Sequence, residues 1–555
     1  MSSKRLAMFG FVLALNAGMF GLRAADDNAG LPAAVCDHLS GLPPQASGVA
    51  AKICPVRGSS TGIVKGDFNG DGIADLAIGV PGRDLAYGSG KTETVLNSAG
   101  AVEIIYGTSA SGLAASGPTI PTSQLIHMRT AFIGLGPVAQ AGDQFGAALA
   151  SGDFNGDGFT DLAVGVPGLL TSGFSGGVVV FMGSASGLAT STAIFFPPST
   201  FYPSDAITDG AQAAYSLTWG DFNGDGFGDL AVASNYCEAA LCDSFNTQTA
   251  QITVLFGSAN GLSANGSTGI QFKAPLFASA AIVPAKLVLS AGDFNGDRIS
   301  DLVAGLPTQT VNGSFIEAGA VHVFFGVLNS GPTTVGQQAF IEPSPGIGNL
   351  FGSSLAVGDF NGDGFADLAV GAPGANNNTG QVQIIRGSAT GLQAVIQTLT
   401  RSNLGQGAGA SGDRFGGALA ANDFNKDGFA DLAIGAPGLA IAGLANAGAV
   451  FEVFGSAAAM NPSVHPAQRF TRLGGVAAGD EFGSSLSAWN YGLSVHPDLA
   501  VGVPFATENG NSQAGEVNVF YGSATGLAIS GAQIWTMSAS GNLPLAGDHF
   551  GLTVY

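Results

Sequence analysis

Short apolar runs recur along most of this chain, each bounded by glycine, aspartate, asparagine or proline. Leu76-Ala-Ile-Gly-Val80, Asp161-Leu-Ala-Val-Gly165, Leu302-Val-Ala-Gly305 and Leu432-Ala-Ile-Gly435 are of one kind. They are apolar on successive residues and too short for helices, which suits strands covered on both faces. A second kind ends in glycine: Ala101-Val-Glu-Ile-Ile-Tyr-Gly107, Val178-Val-Val-Phe-Met-Gly183, Ile252-Thr-Val-Leu-Phe-Gly257, Val321-His-Val-Phe-Phe-Gly326 and Val517-Asn-Val-Phe-Tyr-Gly522. A Ser-Ala-x-Gly-Leu turn often follows, as at Ser184 to Leu188 and Ser523 to Leu527. A plainer strand, such as Ala532-Gln-Ile-Trp-Thr536, then leads onward.

Polar positions show the same order. The string Asp67-Phe-Asn-Gly-Asp-Gly-Ile-Ala-Asp75 recurs with small changes from Asp153, Asp221, Asp293, Asp359 and Asp423. A seventh, eroded copy keeps Asp498-Leu-Ala-Val-Gly-Val-Pro504 but has Asn490-Tyr-Gly-Leu-Ser-Val-His-Pro497 in place of the acids. The intervals are 86, 68, 72, 66, 64 and 67 residues. Each unit holds four strands: one entering the acidic loop, one leaving it, one ending in glycine, and a plainer fourth. Seven four-stranded units predict an all-β protein, a seven-bladed β-propeller of antiparallel blades over residues 58–540. The 555 residues are then spent on one ring and not on several domains.

A Phe-Gly pair stands eight residues before several loops, at Phe145-Gly146, Phe351-Gly352, Phe415-Gly416 and Phe482-Gly483; the first, third and fourth copies lack it. Ala546-Gly-Asp-His-Phe-Gly551 is similar to Ala478-Gly-Asp-Glu-Phe-Gly483, so residues 541–555 read either as the start of a further repeat or as a strand that closes the ring.

Composition narrows the function. With 18 basic against 39 acidic residues and a net charge of −21, the chain cannot present the positive surface that nucleic acid or anionic membranes require. Its 46% hydrophobic content excludes global disorder, and its 87 glycines fit repeated tight turns. Residues 1–24 read as a signal peptide, with Lys4 and Arg5 before an apolar stretch from Leu6 to Leu22. No later segment is long and apolar enough to span a bilayer, so the expected location is secreted, cell-surface or periplasmic. Four cysteines permit three pairings; the local ones, Cys36 with Cys54 in the segment 25–57 and Cys237 with Cys242, need the least chain rearrangement.

The Phe-Gly and Gly-Ala-Pro marks around one acidic loop, as in Phe415-Gly416 and Gly435-Ala-Pro437, resemble the FG-GAP repeats of integrin alpha subunits. The Gly-Ser-Ala-x-Gly-Leu turns resemble those of bacterial secreted FG-GAP proteins. The resemblance implies a seven-bladed propeller with calcium loops that acts in adhesion or protein binding through the face opposite those loops. No Arg-Gly-Asp sequence occurs.

The loop chemistry points to calcium independently. Oxygens at positions 1, 3, 5 and 9 of Asp-x-Asn-x-Asp-Gly-x-x-Asp, with the carbonyl of position 7, form a hard all-oxygen donor set. The expected ligands are Asp67, Asn69, Asp71, Ile73 and Asp75; Asp153, Asn155, Asp157, Phe159 and Asp161; Asp221, Asn223, Asp225, Phe227 and Asp229; Asp293, Asn295, Asp297, Ile299 and Asp301; Asp359, Asn361, Asp363, Phe365 and Asp367; and Asp423, Asn425, Asp427, Phe429 and Asp431. Up to six structural Ca²⁺ ions follow from these six loops, which hold 18 of the 39 acids. An EF-hand is excluded, because position 12 carries a strand residue such as Ile78 or Val164 and not the bidentate glutamate. Arg298 replaces glycine at position 6 of the fourth loop, so that site is expected to bind more weakly.

Catalysis finds little support. Gly173-Phe-Ser-Gly-Gly177 matches a nucleophile-elbow pattern, yet it sits between two strands where a helix would have to follow. The six histidines fall at unrelated repeat positions. No enzyme is expected; a carbohydrate-binding propeller or a propeller-type polysaccharide lyase remains the alternative. Recognition is expected in the loops between strands two and three: Arg83 to Ser98, Asn235 to Thr249, Thr308 to Glu317, Asn376 to Gly380 and Phe505 to Ser512.

Overall fold

The computed structural model describes residues 66–87, 94–118, 120–131, 138–171, 174–202, 206–238, 248–272, 287–462 and 465–555. The signal segment, the segment 25–57, Cys36, Cys54, Cys242 and the side chain of Cys237 lie outside the described residues.

Seven four-stranded antiparallel sheets form the described architecture. Blade 2 is representative: Ala148–Gly152, Asp161–Gly165, Val178–Met182 and Ala189–Phe196 pair in sequence order. Blades 3 to 7 repeat this order from Ala206–Gly220, Val288–Gly292, Ser354–Gly358, Ala418–Asn422 and Leu486–Trp489. The first strands of successive blades contact one another all the way round, so they form the innermost layer. Second strands such as Asp367–Ala372 and Asp431–Ala436 are buried at every residue, as expected for a sheet covered on both faces.

Apolar side chains collect in the seams between blades. One cluster joins Val102, Ile104 and Phe145 of blades 1 and 2 to Leu162 and Phe181, and another joins Ile384 and Phe415 to Ile434 and Phe451 of blades 5 and 6. Each blade supplies one face to either neighbour, so no blade completes a core alone.

The Phe-Gly and Gly-Ala-Pro marks meet in these seams. Phe145, Phe351, Phe415 and Phe482 are fully buried and bridge in parallel to Gly100, Gly319, Gly380 and Gly448 of the preceding blade. A Cβ on Gly371 would lie 2.2 Å from the Gly416 carbonyl oxygen, and one on Gly435 2.2 Å from that of Gly483. Glycine in Gly-Ala-Pro is therefore required because the next blade's Phe-Gly backbone rests where a side chain would be.

Blade 1 draws on both parts of the chain. Thr553–Val554 pairs with Gly79 and Ile78, the register that Ala148 and Leu149 take with Gly165 and Val164 in blade 2. The remaining strands are Leu76–Val80, Ala101–Ile105 and Gln124–Ile126. Phe550 bridges to Gly515 and the Gly551 N–H donates to the Gly79 carbonyl (3.2 Å), so the first copy's missing Phe-Gly comes from residues 550–551. In blade 3 Ala213-Ala214 takes the place of Phe-Gly, with Ala214 in the left-handed region at φ 62°. The fourth copy's equivalent lies outside the described residues. Blade 3 also differs from expectation at its recognition loop: Asn235 and Tyr236 pair with Ala250 and Thr249, so the second and third strands run on into the segment assigned to loop.

Candidate metal centres in the hairpin loops

Each acidic loop leads into the second strand of its blade, in blades 2 to 6 directly from the first strand, and its backbone folds around the carboxylate at position 1. Asp67 accepts the N–H groups of Gly70 (2.6 Å) and Asp71 (3.1 Å) on Oδ1 and that of Gly72 (2.8 Å) on Oδ2. Asp153, Asp293 and Asp359 repeat all three bonds. Asp221 and Asp423 accept from positions 5 and 6. Glycine at position 4 of five loops and at position 6 of five supplies the positive φ this wrapping needs, such as 73° at Gly70 and 87° at Gly72.

Positions 3 and 5 continue the turn. Asn69 Oδ1 accepts from Asp71 N–H (2.9 Å) and Asp71 Oδ1 from Ile73 N–H (3.0 Å), and Asn155 with Asp157, Asn223 with Asp225, Asn295 with Asp297 and Asn425 with Asp427 do the same. In the fifth loop Asn361 instead donates its amide to Asp367 Oδ2 (2.9 Å), while Asp363 accepts from Phe365. The position 5 aspartates are exposed in all six loops. Arg298 adopts φ 73° and its N–H still reaches Asp293 Oδ2 at 2.8 Å, so the fourth loop keeps the shape of the others at the cost of a left-handed non-glycine residue.

Position 9 is different, because Asp75, Asp161, Asp229, Asp301, Asp367 and Asp431 are fully buried. Asp75 accepts the N–H of Phe68 (2.8 Å) on Oδ2 and that of Gly107 (2.9 Å), the glycine ending the third strand, on Oδ1. The same two bonds recur in every blade, through Phe154 and Gly183, Phe222 and Gly257, Phe294 and Gly326, Phe360 and Gly387, and Phe424 and Gly455. The eroded seventh copy retains them too: Asp498 accepts from Tyr491 (2.8 Å) and Gly522 (2.8 Å). Position 9 is thus a clamp tying the loop to the third strand, a role that the ligand pattern alone does not reveal. Its presence in a copy without the other acids is the sequence signal that separates the two.

Burial and the neighbouring carboxylates together raise the proton affinity of these groups. Desolvation pushes Asp161 and Asp431 up to about 7, Asp229 and Asp301 to about 8 and Asp367 to about 6, with the aspartates at positions 1 and 5 adding repulsion. Asp75 is raised by the same causes.

Among the described residues, no three His, Cys, Asp or Glu side chains stand as a ready metal cage. The oxygens of positions 1 and 5, and of position 3 in all loops but the fifth, are turned onto the loop's own N–H groups. The structure brings positions 1, 3, 5, 7 and 9 into one turn, and the convergence of their oxygens on a single point is not formed. The donor chemistry nevertheless fits a hard divalent cation: three mutually repelling carboxylates, an amide oxygen and a free carbonyl, with no nitrogen or sulfur ligand. Such an ion would be held by the residues at these five positions and would neutralise the repulsion between their carboxylates.

Fold and loops together define a seven-bladed propeller carrying acidic hairpin loops. Five segments, residues 61–102, 145–181, 213–236, 351–385 and 415–452, match the FG-GAP repeat model, and the chain is an FG-GAP repeat protein distantly related to integrin alpha subunits and to phosphatidylinositol-glycan-specific phospholipase D. It is 36% identical over 182 residues to that phospholipase from Bos taurus, covering 31% of this chain and 20% of the relative. Integrin alpha-V of Gallus gallus is 32% identical over 269 residues, 47% of this chain and 23% of the relative. The chain thus spans about a fifth of the length of these relatives. Among solved structures, an arginine-substituted variant of AofleA from Arthrobotrys oligospora aligns with a TM-score of 0.33 at 10% identity, over 72% of this chain and 90% of that one. Rhamnogalacturonan lyase YesW aligns with a TM-score of 0.32 at 12% identity, over 68% and 74%. FG-GAP repeats typically bind Ca²⁺. No helix among the described residues is long and apolar enough to cross a membrane.

Proposed function

We propose that this chain is a secreted or cell-surface calcium-binding propeller that binds a protein ligand and has no catalytic role. The observation carrying the calcium reading is the sixfold repetition of one oxygen-rich loop whose position 1 carboxylate accepts the N–H groups of positions 5 and 6 in every copy. Calcium bound there is structural, tying the first two strands of a blade together and linking folding to metal concentration.

Partner binding belongs to the opposite face. The loops between strands two and three differ from blade to blade: a hairpin of Leu85–Tyr87 with Thr94–Leu96 in blade 1, a shorter one of Leu170–Thr171 with Phe174–Ser175 in blade 2, and three left-handed asparagines, Asn376 to Asn378, in blade 5. Tyr87, Val95, Leu170 and Leu444 are exposed apolar residues in these loops. Variable loops with apolar tips on a rigid ring suit protein recognition.

Catalytic readings draw less support. Ser175 lies in a two-residue strand, with its carbonyl accepting from the Tyr202 hydroxyl, and no helix follows it. Arg83, Arg401 and Arg472 are committed to ion pairs with Asp548, Asp413 and the pair Asp480 and Glu516, which leaves them unsuited to stabilising a lyase carbanion. Trp535 is buried, which weighs against its use as a sugar platform.

Calorimetric titration of chelated protein with calcium tests the metal reading: binding of up to six ions with a rise in melting temperature is expected, and an unchanged melting curve overturns it. Binding of the labelled protein to native and to protease-stripped cell surfaces, beside a glycan array and an assay for new unsaturated sugar ends, separates a protein ligand from the lectin and lyase alternatives.

A further inference from the structure

The acidic loops are in direct contact around the ring. In blades 2 to 6 the position 8 N–H donates to the position 1 carbonyl of the blade before: Thr160 to Asp67 (3.0 Å), Gly228 to Asp153 (2.8 Å), Ser300 to Asp221 (2.8 Å), Ala366 to Asp293 (3.1 Å) and Ala430 to Asp359 (2.9 Å). Beside each bond, the position 7 side chain of the later blade covers the position 4 glycine of the earlier one. A Cβ on Gly70 would lie 2.5 Å from the Phe159 ring, one on Gly156 2.7 Å from Phe227, one on Gly296 2.6 Å from Phe365 and one on Gly362 2.8 Å from Phe429. Ile299 does the same beside Gly224, with Leu328 closer still at 2.9 Å.

Position 7 therefore belongs to two loops. Its carbonyl is a ligand candidate in its own blade, and its side chain braces the loop of the preceding blade. We infer that Phe159, Phe227, Ile299, Phe365 and Phe429 are positioning residues for the preceding blade's calcium loop, so that the six sites fill in a coupled manner. This rests on the calcium reading above. A metal that fixes position 7 in one blade holds the brace against the next loop in its folded form, and that loop binds having already lost part of its conformational freedom. The coupling is reciprocal in free energy.

The relay has one open joint. Pro497 occupies position 8 of the seventh copy and has no N–H to offer Asp423, while Lys426 takes the place of the position 4 glycine and sends its Nζ to the Val495 carbonyl (3.3 Å). The sixth loop thus has no metal-bearing loop bracing it, and it is one end of the coupled series.

Hydrogen–deuterium exchange of the full chain during calcium titration reads each loop separately through the peptides that contain it. In Phe429→Ala the midpoint for residues 359–367 should move to about tenfold higher calcium, with smaller shifts at 293–301 and 221–229, and Phe429→Leu should restore it. Asp427→Asn, which removes a ligand of the sixth loop and leaves the seam intact, should shift the 359–367 midpoint in the same direction. A uniform shift in all loops, or none, overturns the coupling. Wild-type protein without calcium-dependent protection in any loop removes the calcium reading itself, and the coupling with it.

Discussion

Blades 1 to 6 and blade 7 share one framework and differ in one loop. In the first six, three aspartates and an asparagine crowd into nine residues; in the seventh, Asn490 to Pro497 carries none of the acids before Asp498. Asp498 is as buried as its counterparts and makes the same two backbone bonds. The comparison separates two jobs that the motif fuses. Position 9 fastens the loop to the third strand whether or not a metal is bound, whereas positions 1, 3 and 5 are present only where there is charge to be neutralised. Blade 7 is the built-in reference for what the loop does without the acids at positions 1, 3 and 5.

The largest effect should come from removing the clamp in each kind of blade. Asp498→Ala strands two buried N–H groups at about 1–3 kcal/mol each and should cost the same in calcium and in chelator. Asp161→Ala should cost that much in chelator and more in calcium. Denaturant unfolding of both variants under both conditions measures this, and equal calcium dependence would erase the distinction.

Next comes the seam. Gly371→Ala places a Cβ 2.2 Å from the Gly416 carbonyl oxygen and should destabilise by roughly 1–3 kcal/mol. It should do so irrespective of calcium, since it lies away from the loops; a calcium-dependent loss in melting temperature would mean that the two faces communicate.

A pH scan sharpens the comparison further. Burial holds Asp498 at about 8, Asp229 at about 8 and Glu103 at about 7, all raised above the ordinary carboxylate range. The folded state retains protons that the unfolded chain releases, so their stabilisation is complete below about pH 4 and is lost as pH rises through 7 to 8. In chelator the melting temperature should fall over that window. Calcium should flatten the part owed to Asp229 and leave the part owed to Asp498 and Glu103. The smallest effect is Arg298→Gly, which relieves a left-handed residue and should gain about 1 kcal/mol without altering the fourth loop's hydrogen bonds.

Much of the ring was legible from sequence, because propeller strands two and three must be apolar on both faces and therefore stand out as uninterrupted runs. The acidic loops were legible because wrapping a chain around a carboxylate demands glycine at fixed offsets. Other features were only half legible or escaped, the similarity of residues 546–551 to the start of a repeat leaving open whether they close the ring. The clamp at position 9 reads as one more ligand until Asp498 is seen holding the same bonds without the other acids. The Phe-Gly of blade 1 is remote in sequence, since Phe550 and Gly551 serve a blade that begins near Asp67. Ala213-Ala214 performs the same task with no Phe-Gly signature, because the seam needs a backbone in the right place more than a particular side chain. The oxygen geometry of the metal centres was not legible either, since nine residues of spacing do not say which N–H groups compete for the carboxylates.

The pairing of Thr553–Val554 with Ile78 and Gly79 also governs the order of assembly. Blades 2 to 7 draw all their strands from contiguous chain and can stack as they emerge during synthesis. Blade 1 waits, with its second strand made before and its innermost strand made after those six blades. Closing so long a loop is an entropic barrier that local contacts cannot lower. Until it closes, blade 1 shows one bare flank and blade 7 another, each an edge that a second nascent ring could meet. Blade 1 is therefore complete only when the chain has run through the six blades between Leu76 and Thr553.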